Sequence, residues 1–297
     1  MYPELHLFGG TVHIYDLMFF LGLVSVMIIY QCLANRFSYP RPRAAFYSIF
    51  TLVFGFLSAA MTAWIENGLL YAASDGAYDH FEKLRNYGIP MFLPLFWLLY
   101  CLLCREPFRK LTDYLAPSVY SVMTFVKIGC TFGGCCYGEA DPNGIWNEEL
   151  GYKTFPVQIY DALSSFVIVI ICIVLIYTLA KKHKGYIYPI GGMLFAAAKG
   201  FWENFRVHST PWEKNYLNTG WTFWQFWMSI LFVCCFVWLV LTAVREKKGV
   251  PDYDEMQKLR FHHVDVEQTA KTLVKYLPIQ PKKKKEPVAH EKKRRKK

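Results

Sequence analysis

Charged residues are scarce in this sequence. Asp, Glu, Lys and Arg make up only 19% of the 297 residues, against about 25% in soluble domains. With 54% hydrophobic residues and a mean hydropathy of +0.18, this excludes an ordinary soluble two-domain enzyme and disorder over most of the chain. No dinucleotide or P-loop fingerprint is present and no segment repeats, which gives no sign of a nucleotide cradle or a repeat array. No basic region precedes the first apolar run, Glu4 lies before it, and no small-residue cleavage site follows, so no cleavable signal is expected. Nine cysteines are present, mostly in apolar stretches, unlike the short, loop-rich framework of a disulfide-built domain. Cys130, Cys135 and Cys136 lack C-x-x-C spacing, and no histidine lies near them in sequence. Neither a metal site nor an organic cofactor is expected.

What is abundant is long apolar sequence. A membrane span needs roughly 20 mostly apolar residues, and seven stretches qualify: 15–34, 44–66, 88–104, 115–138, 157–180, 185–205 and 221–244. The third starts uncertainly because it holds Pro90 and Pro94. The fourth and sixth contain lysines and are weaker by hydropathy. The expected fold is an all-α polytopic membrane protein of about seven transmembrane helices. The odd-numbered connections carry nine Lys/Arg and the even-numbered ones five. By the positive-inside rule, the N-terminus is outside and the C-terminus cytoplasmic.

The net charge of +10 is concentrated at one end. Residues 245–297 hold 17 Lys/Arg and 8 Asp/Glu, so this tail carries nearly all of it. Two units are expected: a membrane domain over 1–244, and a basic, largely disordered cytoplasmic tail over 245–297 attracted to anionic lipid. No aromatic interleaving in the tail points to nucleic acid. Two outer stretches, Gly138–Phe155 and Arg206–Gly220, read as turn-rich loops with aromatic anchors at the interface.

Two charges lie inside the apolar stretches. Lys127 is near the middle of span four and Lys199 is in the outer part of span six. An unpaired lysine at a helix centre costs roughly 2.5–3.5 kcal/mol on insertion scales. Lys199, Glu203 and Arg206 are spaced i, i+4, i+7, which puts them on one helical face. Two readings follow. One is an ion-paired polar seam, with Lys199 on Glu203 and Lys127 on a carbonyl or Asp161. The other is an anion site in the outer half of the membrane, where a lipid phosphate is the most available anion. The nearby KIGCTFGGCCYG (127–138) packs four glycines and three cysteines into twelve residues. Its Gly129-x-x-x-Gly133 suits close helix packing; a glycine-broken span can also turn backbone N–H groups to a ligand.

These segments resemble the prolipoprotein diacylglyceryl transferase family over roughly residues 3–244. The opening PELHLFGGTVHIYDLMFFLGL resembles the family start, with Tyr15 at the head of span one. KIGCTFGGCCYG resembles the signature Arg-Ile-Gly-Asn-Phe-x-Asn-Gly-Glu-x-x-Gly. FPVQIYDAL resembles His-Pro-x-Gln-Leu-Tyr-Glu, with Pro156, Gln158, Tyr160 and Asp161 in register, and KGFWENFR resembles Arg-x-x-x-Glu-x-x-Arg. The sequence departs from these patterns at several points. Lys127 and Lys199 replace arginines and lose the bidentate fork. Cys130 replaces Asn, Cys135 replaces Glu and Phe155 replaces His, and the family's His-Gly-Gly segment is absent.

The resemblance implies transfer of a diacylglyceryl group from phosphatidylglycerol to the lipobox cysteine of a prolipoprotein signal peptide, in a bacterial plasma membrane, at a site facing the outer leaflet. It implies catalytic roles for Lys127, Lys199 and Glu203. It implies substrate-binding roles for Tyr15, Gly129, Cys130, Gly134, Cys135, Gly138, Gln158, Tyr160 and Arg206. No metal or cofactor is implied. The alternatives are a diverged lipid- or peptide-binding homolog without activity, and a related transferase with a different acceptor or headgroup. A channel or transporter lacks the paired broken helices or charge rings it needs.

Overall fold

The computed structural model describes residues 4–7, 10–77, 84–104, 106–148, 150–180, 183–208 and 211–249. A short hairpin, β1 (Glu4–Leu7) and β2 (Gly10–His13), leads into α1 (Ile14–Leu33). Then come α2 (Arg41–Ala73), α3 (Gly88–Cys104) and α4 (Phe108–Phe132). A second antiparallel hairpin, β3 (Ala140–Asn147) and β4 (Tyr152–Thr154), precedes α5 (Val157–Thr178) and α6 (Ile187–Trp202). The single-turn α7 (Pro211–Lys214) and the long α8 (Phe223–Lys247) follow. Among the described residues there are thus seven long helices, of which α1, α2, α4, α5 and α8 are long and apolar enough to cross a membrane. The chain is an all-α polytopic membrane protein. Of the tail expected from 245, residues 245–247 belong to α8; from residue 250 on it lies outside the described residues.

The helices are inside-out relative to those of a soluble protein. On α2 the lipid-type side chains Ile49, Val53, Phe56 and Trp64 are exposed, while Ser48, Thr51, Ser58, Thr62 and Glu66 are buried. The polar stripe faces the bundle because a polar group facing hydrocarbon has no water to bond. Small hydroxyls also close the stripe on themselves: Ser48, Ser58 and Thr62 each donate to the carbonyl four residues back. Tyr30 Oη is satisfied across helices instead, 3.0 Å from Thr51 Oγ1 on α2 and accepting from Ser118 Oγ on α4 at 2.9 Å.

Helix α4 is the centre of the bundle and packs against α1, α3, α5 and α6. Almost every residue from Leu111 to Cys130 is buried. Its weak hydropathy follows, since a helix walled by protein carries Thr112, Asp113, Ser118 and Lys127 without exposing them to lipid. The α1–α4 approach depends on glycine. A Cβ at Gly129 would lie 3.1 Å from Tyr15 Cδ2, and one at Gly22 3.2 Å from Phe125 Cβ, the close contact that small-xxx-small spacing allows.

Several boundaries differ from the sequence expectation. Span four was expected over 115–138. The helix instead starts at Phe108, after Pro107, and stops at Phe132. Arg109 and Lys110 hid its first turn from hydropathy, and the left-handed Gly134 (φ 72°) follows its end. Span two continues from 66 to Ala73, which places Glu66 inside α2. Arg206 does not continue the helical face of Lys199 and Glu203: α6 ends at Trp202, tightens into one 3-10 turn over Glu203–Phe205, and Arg206 is extended. The loop expected at 138–155 is largely the β3–β4 hairpin.

Candidate active site

Where the N-terminal ends of α1, α5 and α8 meet the C-terminal ends of α4 and α6 lies a cavity of about 230 Å³. Lys127, Asp161 and Lys199 line it from α4, α5 and α6. Asp161 Oδ2 is shared between two ammonium groups, 2.5 Å from Lys199 Nζ and 3.3 Å from Lys127 Nζ. Lys199 also lies 3.4 Å from Glu203 Oε2, and Arg206 Nη1 lies 3.6 Å from Glu203 Oε1. All five groups are buried or nearly so. Among these five groups three are cations and two are carboxylates, and Glu213 adds a further negative charge that acts on Arg206. The Glu203 oxygens receive no hydrogen bond from the described residues, and Arg206 Nε and Nη1 donate none to them.

Both sequence readings contained part of this arrangement. The lysines are ion-paired, with Lys127 on Asp161 rather than on a carbonyl. Yet Lys127, Asp161 and Lys199 border open space, not a packed seam.

Local sequence explains how the walls are held. Thr222 and Gln225 form a reciprocal capping box, with Thr222 Oγ1 accepting from the Gln225 N–H and Gln225 Oε1 accepting from the Thr222 N–H. This fixes the entry of α8 and sets Phe223 and Trp224 against the cavity. The Trp224 ring lies 4.7 Å from Lys199 Nζ and 5.5 Å from Lys127 Nζ, within cation–π range. Opposite, Arg85 lines the cavity and its Nε lies 3.0 Å from Glu66 Oε2, while Tyr87 Oη donates to the same oxygen at 2.5 Å. The 85–88 segment is pressed on α2: the Arg85 N–H donates to the Ala59 carbonyl, and a Cβ at Gly88 would fall 1.8 Å from Thr62 Oγ1. Sequence reasoning missed the Arg85–Glu66–Tyr87 group. Its signal was a lone acid in the apolar run AWIENGLL.

The fold sorts the other expected residues into two sets. Tyr15, Cys130, Cys135 and Arg206 line the cavity with the lysines. Glu203 does not line it and holds Lys199 and Arg206 from behind. Gln158 Nε2 donates to the Cys135 carbonyl at 2.7 Å, and Asn147 Nδ2 donates to the Gly134 carbonyl at 3.1 Å, so both fasten the signature turn. Gly138 pairs with Arg206 as an antiparallel bridge; a Cβ there would meet two carbonyl oxygens at 2.7 Å. Gly129 gives Tyr15 room. Tyr160 lies between the rings of Phe155 and Trp202. His208 is another residue that sequence reasoning missed. Its Nε2 is 3.7 Å from Glu203 Oε1, behind the cavity wall, and burial lowers its pKa below the ordinary histidine value, which favours the neutral imidazole at pH 7.

The phosphatidylglycerol–prolipoprotein diacylglyceryl transferase of Clostridium tetani is 25% identical over 178 residues, covering 54% of this chain and 68% of that protein. The protein of the same name from Tolumonas auensis is 27% identical over 165 residues, covering 54% of this chain and 61% of that protein. The matched stretches thus span about two thirds of the length of these relatives. The sequence profile of the prolipoprotein diacylglyceryl transferase family matches residues 4–242, which takes in every residue that lines the cavity. The chain belongs to the prolipoprotein diacylglyceryl transferase family.

Proposed function

We propose that this protein transfers the diacylglyceryl group of phosphatidylglycerol to the lipobox cysteine thiol of a prolipoprotein, in a bacterial plasma membrane with the cavity toward the outer leaflet. One observation carries the reading: Lys127, Lys199 and Arg206 converge on one cavity, at the positions where the family motifs place cations. A phosphodiester carries one negative charge, for which clustered cations are suitable partners.

In this reaction the acceptor sulfur attacks the glyceryl carbon that bears the phosphate oxygen. The thiol gives up its proton to solvent, the S–C bond forms, the C–O bond breaks, and glycerol phosphate leaves with the electron pair. Negative charge grows on the leaving phosphate. Preorganised cations in a water-poor site stabilise such charge better than water does, because they need not reorient. Asp161 holds both ammonium groups in place before lipid arrives. The aromatic wall of Phe223 and Trp224 limits water, and the cavity shape aligns sulfur with carbon.

The test is direct. The purified protein is mixed with phosphatidylglycerol and a synthetic lipobox peptide, and mass spectrometry is used to find a diacylglyceryl adduct on the peptide cysteine. An adduct that disappears in Lys127→Ala supports the reading. A second reading, a lipid- or peptide-binding homolog without chemistry, is favoured by Phe155 standing where the family motif has histidine. It predicts no adduct from folded protein that phosphatidylglycerol still stabilises against heat.

A further inference from the structure

The cavity contains a group of side chains that the phosphate clamp does not use. Cys130 lies near the end of α4, and Cys135 and Cys136 lie in the turn beyond it. The left-handed Gly134 and Cys136 (φ 72° and 58°) reverse the chain there. The three Sγ atoms all lie within 4.8 Å of one another, all three are free thiols, and all three line the cavity. A left-handed non-glycine residue such as Cys136 is uncommon, and its conformation is maintained from outside: Gln158 holds the Cys135 carbonyl, Asn147 holds the Gly134 carbonyl, and Arg206 Nη2 donates to Cys136 Sγ at 3.3 Å.

We propose that Cys130, Cys135 and Cys136 form a three-thiolate site for a borderline-soft divalent ion, zinc being the reference case, with the fourth coordination position open to the cavity. Three sulfurs at about 2.3 Å from one zinc ion stand roughly 3.8–4.0 Å apart, so closing this group around an ion needs about an ångström of movement or less. The open side distinguishes it from a closed structural site of four protein ligands. The hydrogen bond from Arg206 to Cys136 is the outer-sphere contact that orients and tunes a metal-bound sulfur.

Resting on the transferase reading, this site answers a gap in it. No histidine stands before Pro156 to take the proton of the acceptor thiol. A thiol that coordinates the ion at the open position is deprotonated outright, and its proton passes to solvent. The bound sulfur keeps a lone pair for the glyceryl carbon; as the S–C bond forms and the C–O bond breaks, glycerol phosphate departs with the electron pair. The thiols that replace the motif's Asn and Glu would thus do the work of the missing imidazole.

The test uses the full chain in detergent under reductant. The protein is stripped with chelator, loaded with zinc, freed of excess and assayed for metal; a parallel sample takes cadmium and is scanned for sulfur-to-metal charge transfer in the near ultraviolet. The expected result is one ion per chain and a charge-transfer band. Cys130→Ser, Cys135→Ser and Cys136→Ser should each lower metal affinity by roughly tenfold or more, while Cys104→Ser and Cys234→Ser leave the ion in place. For any variant that melts earlier than the parent, the cadmium spectrum of the unaltered chain decides. Stoichiometry far below one ion, retention unchanged in the three variants, or a disulfide within the trio in protein purified without reductant overturns the site. Zinc bound at the trio with no peptide adduct leaves the site standing and overturns the transferase reading. An adduct formed at full rate by zinc-free protein does the reverse for the metal's part in the reaction.

Discussion

Asp113 and Asp161 are both buried acids in the helix bundle, and they do opposite work. Asp113, on α4, accepts from two backbone N–H groups at the start of α6, Gly185 to Oδ2 at 2.6 Å and Ile187 to Oδ1 at 2.9 Å. Those N–H groups have no intrahelical partner, and a carboxylate there also suits the helix dipole. Asp113 is a cap supplied by another helix. Asp161 faces a cavity and has two lysines instead of N–H groups. Burial alone does not separate a structural acid from a site acid. The partners do, together with whether space is left beside them.

Experiments on these groups can break or sharpen that contrast. The largest effect is expected for Lys127→Ala and Lys199→Ala, each lowering transfer to the lipobox peptide by about 10²–10³-fold while the protein still inserts and purifies. Arginine at either position should keep part of the rate. Full activity in both alanine variants, read as adduct formed per minute, removes the clamp altogether.

Asp161→Asn comes next. It leaves two ammonium groups without their shared counter-charge, and transfer should fall by roughly 10–100-fold because the lysines move off the phosphate position. Asp113→Ala should do something different. Two buried N–H groups lose their acceptor at about 1–3 kcal/mol each, so the melting temperature falls while the rate per folded molecule holds. An equal rate loss in the two variants would erase the distinction between them.

Arg85→Gln should be milder for turnover. It breaks the pair with Glu66 and loosens the segment that walls the cavity, so KM for lipid should rise about tenfold with kcat less affected. A change confined to kcat would place Arg85 among the groups that meet the transition state. The smallest effect belongs to the tail: deleting 278–297 should leave transfer unchanged, and a large loss would give the basic blocks a role in catalysis.

Much of this was readable from the sequence. Long apolar runs have one stable form in a bilayer, so the seven helices followed from composition. Intramembrane lysines are costly, so Lys127 and Lys199 stood out before any contact was known. Motif order then brought Tyr15, Cys130, Cys135 and Arg206 into the same account. Glu203 is not in the cavity lining and instead touches two of its cations, Lys199 and Arg206. Glu66 went unread because α2 runs a further two turns past an acid that looks like a span end.

The sequence by itself determined the fold class, the family and the residues that would need partners, because those depend on transfer costs and local order along the chain. Only the tertiary structure decided who the partners are. Asp161 serves two lysines because α4, α5 and α6 meet at that depth. Arg206 reaches the site through a strand bridge to Gly138 rather than along a helix. The three thiols come together because the chain reverses after α4. Each of these depends on distances between segments far apart in the sequence or on a turn held from outside, and linear spacing encodes neither.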